Sequence, residues 1–193
     1  MIIEIVLTLA VTAAAGFGFF VYAKKRPMLP SALTIADANQ IPMLRLAPKI
    51  SWCKYLENVD DMGMRLAEQF TVARDLTALS FDVLRQKFST TELTYGRYEK
   101  TLSESNAVLV DNIAKMIPLL EAVDTLAEDK SSNKQALVER ILHLLSLNQN
   151  LLDKLNELIT NLSGIKNLSG PDQKTADFLL DNLKTMTERA KLY

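Results

Sequence analysis

LVERILHLLSLNQNLLDKLNELITNL, residues 137–162, sets apolar side chains at Leu137, Ile141, Leu144, Leu145, Leu151, Leu152, Leu155, Ile159 and Leu162. Steps of three, four and seven gather them on one face of a helix, because 3.6 residues complete a turn. A half-buried strand would instead alternate apolar and polar residues. Asn148 occupies one step of the stripe. A buried Asn there would fix the register between helices at some cost in stability. Ser132 or Asn133 can cap this helix and Gly164 can stop it.

The same periodicity continues on both sides. Trp52, Leu56, Val59, Leu66, Phe70, Ala73, Leu76, Val83, Leu84 and Phe88 trace one face of a first long helix that ends near Phe88. The Ser89-Thr90-Thr91-Glu92 run has capping-box spacing and predicts a second helix starting there. Its face runs from Leu93 and Tyr98 to Leu126, and Pro118 predicts a kink. Pro171 fits a first helical position, with Ser169 or Gly170 as cap. Ala176, Leu179, Leu180, Leu183, Met186 and Ala190 follow as the last face.

The fold class is therefore all-α: an elongated antiparallel bundle of about four helices over residues 51–193. Short turns make sequential helices antiparallel. Periodicity leaves open whether all four close on one core or the second and third project as a hairpin.

Residues 1–50 are of a different kind. Nineteen residues without a charge, Ile5–Ala23, are about the length that crosses a bilayer. Tyr22 suits the interfacial belt, and Lys24, Lys25 and Arg26 end the run. The four residues MIIE before it hold no Lys or Arg, which disfavours a cleaved signal peptide. With the cations following the span, the positive-inside rule puts the N-terminus outside and the C-terminal domain in the cytoplasm. Ala10, Ala14 and Gly18 recur every fourth residue, a spacing that lets two membrane helices approach closely. Residues 24–50 contain Pro27, Pro30, Pro42 and Pro48 and read as an extended juxtamembrane tether, with a short helix over 31–40. Arg45 and Lys49 are available to anionic lipid head groups, but two cations are a weak signal and simple solvation is the preferred reading. The expected division is thus an anchor over 1–23, a tether over 24–50 and a helical bundle over 51–193.

The residues do not assemble a reaction. His143 is the single histidine, with Glu139 one turn before it, a pairing that reads as a helical ion pair on an exposed edge. Cys53 is the single cysteine, so no internal disulfide can form, and no base stands near it in sequence. Phosphate-binding glycine loops and nucleophile elbows are absent. A net charge of -1 and the lack of a basic stripe argue against nucleic acid. Asn161-Leu162-Ser163 and Asn167-Leu168-Ser169 match the glycosylation pattern, which a cytoplasmic domain would not use. No cofactor and no metal are expected.

In layout alone, the chain resembles single-anchor scaffold proteins of bacterial envelopes and division sites. The expectation is a membrane-anchored, non-enzymatic helical adaptor or scaffold that binds a protein partner or a second copy of itself. The alternative is an accessory subunit or regulator of a larger transport or secretion complex, packed through Ala10, Ala14 and Gly18.

Overall fold

Two prolines stand inside the first helix, α1 (Ile35–Cys53), at Pro42 and Pro48. This computed structural model describes residues 35–59, 61–126, 132–165 and 171–193. The anchor run and Ala10, Ala14, Gly18, Tyr22, Lys24, Lys25 and Arg26 lie outside the described residues. No described helix is long and apolar enough to cross a membrane.

Residues 35–50 thus differ from the extended tether expected of them, and they belong to the same compact unit as the rest of the described chain. Each internal proline removes a helical donor, at a cost of ~3 kcal/mol or more. Packing supplies the compensation. Met43 and Ile50 are buried, worth ~1.5–3 kcal/mol each, and Cys53 is buried beside them. Pro42 and Pro48 are both exposed, so their rings do not disturb the packed side.

The single helix expected over 52–88 is two elements. Between α1 and α2 (Met62–Lys87) the chain turns through Tyr55 N–H to Trp52 O at 2.9 Å and Met62 N–H to Val59 O at 3.1 Å. Leu56 and Val59 are buried in that turn. Their three-residue spacing imitates a helix face, which is why periodicity runs straight through the break. Gly63 permits the reversal: a Cβ there would overlap the carbonyl oxygen of Cys53 at the end of α1.

α3 (Leu93–Thr125) begins later than the capping box implies. Ser89-Thr90-Thr91-Glu92 closes a turn of its own, Glu92 N–H to Ser89 O at 3.0 Å, while the Glu92 carboxylate accepts the Ser89 N–H at 3.0 Å. Half of the box forms, one turn ahead of the helix. α3 runs through Pro118 without interruption, and that proline is exposed, so water reaches the side where the backbone bond is missing. α4 (Ser132–Gly164) starts and stops at the signals read for it, and α5 (Pro171–Ala190) starts at the Pro171 signal.

Among the described residues every regular element is a helix, and four of the helices close into one bundle against which α1 packs. α2 and α4 run parallel, joined by Gln69 Nε2 to Leu145 O at 2.8 Å and Lys87 Nζ to Ile165 O at 2.7 Å. α3 is antiparallel to both: Thr77 Oγ1 on α2 donates to Asn106 Oδ1 at 2.9 Å, and Asn112 Nδ2 donates to Asn148 Oδ1 on α4 at 2.9 Å. α5 lies alongside α3, with Ser105 and Thr187 hydroxyls 2.7 Å apart. The antiparallel α3 and α4 form the centre, α2 and α5 flank them without meeting, and α1 covers α2 and α3. One core of buried side chains, from Met43 to Ala190, joins all five helices. A projecting hairpin is therefore not what these helices form.

Candidate functional site

The face that begins α3 opens toward α5. Leu93, its first residue, stands 93% exposed, although its place in the apolar stripe predicts burial. Gly96 follows with nothing within 4 Å of where a Cβ would stand. Together with Arg97, Lys100, Thr101 and Glu104 on α3, and Asp181, Lys184 and Glu188 on α5, they line a groove of about 950 Å³. Parallel packing of α3 and α5 creates it, since equivalent turns of the two helices stay side by side.

Ion pairs fix its floor. Arg97 donates through Nη1 to Asp177 at 3.2 Å and through Nη2 to Asp181 at 2.7 Å. Those bonds, the one to Asp181 first, hold the guanidinium in its charged form. Tyr98 stands behind Arg97, fully buried, and donates its hydroxyl to Asp177 at 3.1 Å. Burial, then the Asp177 charge, pushes the phenol well above its ordinary range. The Tyr98 ring packs on Phe88 with centroids 5.3 Å apart. Farther along, Lys191 reaches Glu104 at 3.1 Å.

The charges of the groove lining nearly cancel. Arg97, Lys100 and Lys184 stand against Glu92, Glu104, Asp181 and Glu188, one net negative charge. A polyanion needs a positive track, so this lining does not suit nucleic acid. An apolar residue ringed by both signs of charge resembles the anchor and polar rim of a protein interface.

The other residues singled out from sequence separate. His143 is exposed, and its ring meets Tyr193 edge-on, centroids 4.7 Å apart. Glu139 accepts from Gln135 at 3.2 Å, and no described ion pair joins it to His143. The contact replaces the expected helical pair because α5 returns its C-terminus to that turn of α4. Cys53 is free and buried, its thiol pushed up by burial and then by the charge of Glu121. A buried, protonated thiol is a poor nucleophile. Among the described residues no group of three His, Cys, Asp or Glu is gathered around a point where a metal could sit.

Sequence reasoning missed Leu93 as an exposed residue, because spacing along one helix does not say whether another element covers that turn. It also missed the buried polar set Gln69, Thr77, Ser105, Asn106, Asn112 and Thr187, which carry no apolar signal. Comparisons with protein-family models, curated proteins and solved structures give no match for this chain.

Proposed function

We propose that this chain is a membrane-anchored helical adaptor or scaffold, and that the groove between α3 and α5 receives a protein partner. The observation that carries the reading is Leu93, an almost fully exposed leucine beside the open backbone of Gly96, bordered by cations and acids in nearly equal number. Leaving a leucine in water forgoes about 1.5–3 kcal/mol of burial. A partner that covers it recovers that energy, and Lys100 and Lys184 then select the partner by its charge. The uncharged run over 5–23 and the cations at 24–26 support the anchor.

The test is in-cell crosslinking followed by affinity purification in mild detergent. The native chain is compared with one whose residues 2–23 are replaced by an unrelated span, and with Leu93→Asp. The adaptor reading requires one partner recovered with either span and lost in Leu93→Asp. Recovery by the native span alone makes the chain an accessory subunit that packs through Ala10, Ala14 and Gly18. Undiminished recovery by Leu93→Asp rejects the groove as the binding surface.

A further inference from the structure

The second half of α1 is apolar on two opposite sides. Met43, Ile50 and Cys53 face the core. At 100° per residue, Leu44, Pro48 and Trp52 fall on the far side, and all three are exposed, Leu44 by 63% and Trp52 by 50%. Tyr55, 78% exposed, stands just beyond the helix end. Arg45, Lys49 and Lys54 flank this row and are exposed as well. Between residues 38 and 56 the sequence holds no acid, so this stretch contributes three positive charges and no negative one, with Glu57 next in sequence and Glu121 of α3 near Cys53 at its C-terminal end.

We propose that this outer face of α1 docks on the surface of an anionic phospholipid bilayer. Three observations select that occupant. Trp and Tyr beside Leu, with Arg and Lys at the edges, is the composition of an interfacial helix face. The charge complements acidic head groups, and each such cation near the surface strengthens association by roughly fivefold. Only eleven residues, 24–34, separate the uncharged run from α1, and a chain of that length spans at most roughly 40 Å. The third argument rests on the anchor reading of the proposed function; the first two do not. Docking would present the bundle to the cytoplasm in a fixed orientation, because α1 packs firmly on α2 and α3.

Trp52 is the single tryptophan of the chain, so its fluorescence reports on this face alone. The full chain is reconstituted in vesicles of phosphatidylcholine, with and without phosphatidylglycerol, carrying doxyl-labelled lipid. Docking requires a blue-shifted Trp52 emission quenched by the doxyl group, stronger with phosphatidylglycerol and weaker in high salt. Arg45→Gln and Lys49→Gln together lower the docked-to-lifted ratio by roughly 25-fold, with helicity by circular dichroism unchanged. Emission that stays red and open to iodide in both vesicles overturns the proposal. So does a Trp52 shielded from iodide yet untouched by doxyl lipid, which would mean a second copy or another protein covers the face. Flotation after alkaline carbonate washing reads the anchor separately. A chain that is stripped by carbonate but still shows doxyl quenching when added to phosphatidylglycerol vesicles loses the anchor and keeps the docking face.

Discussion

Asn112 and Asn148 meet in the middle of the bundle, Nδ2 of the first donating to Oδ1 of the second at 2.9 Å, with both side chains fully buried. The remaining amide atoms, Asn112 Oδ1 and Asn148 Nδ2, have no protein partner. This pair joins the two central helices, α3 and α4, so it holds their register where a slip would expose polar atoms to leucines.

Replacing one member and not the other leaves a buried amide wholly unsatisfied. Asn112→Leu or Asn148→Leu alone is expected to destabilise the chain by about 1–3 kcal/mol in urea titration. The double replacement removes both amides and is expected to be nearly neutral. A double variant as unstable as the two losses added together would show that the pair is not coupled.

The two glycines of the described turns and helix starts should respond in opposite directions. Gly63→Ala forces a methyl onto the Cys53 carbonyl oxygen and is expected to cost about 1–3 kcal/mol. Gly96→Ala meets open space inside a helix and is expected to stabilise by roughly 0.5–1 kcal/mol. Thermal unfolding of both variants beside the parent measures the contrast.

Alkaline pH should loosen the bundle through Tyr98. Its folded-state value is raised, so the folded chain keeps a proton that the unfolded chain releases. Stability is therefore full below the unfolded value of ~10 and falls above it, by about 1.4 kcal/mol per pH unit for this one proton. Tyr98→Phe is expected to lose about 1 kcal/mol at neutral pH with the Asp177 bond, and to flatten the decline above pH 10. An unchanged alkaline slope in Tyr98→Phe would assign it elsewhere, with Tyr95, raised chiefly by burial, as the next group to examine.

Cys53 offers a probe of the α1–α2 junction. Buried and protonated, its thiol should react with maleimide slowly in the native chain and quickly in denaturant. Gly63→Ala pries at the same carbonyl and is expected to raise the native labelling rate by roughly tenfold, as 1.4 kcal/mol of easier opening would. Equal rates in parent and variant would show that the junction opens independently of Gly63.

Much of the fold is legible in residues 132–164 and 171–190, where apolar steps of three and four continue for many turns and Ser132, Gly164 and Pro171 mark the ends. Asn148 is legible too, as a polar residue standing in a leucine stripe. Trp52 and Leu93 show the limit of that signal, since both fit the stripe and both face outward. The turn through Leu56 and Val59 hides in helical spacing for the same reason, and α1 hides behind prolines that ordinarily end helices.

Local spacing by itself determined the helical class, the end of α2, both ends of α4, the start of α5 and the side of each long helix that must leave water, because amphipathic periodicity is a property of neighbours in the chain. Only tertiary structure decided that α1 joins the bundle, that α3 and α4 form its centre, and that Leu93 and the row Leu44, Pro48, Trp52 are left uncovered. Those outcomes depend on which faces meet across tens of residues. A helix with two apolar sides can satisfy only one of them within a single chain.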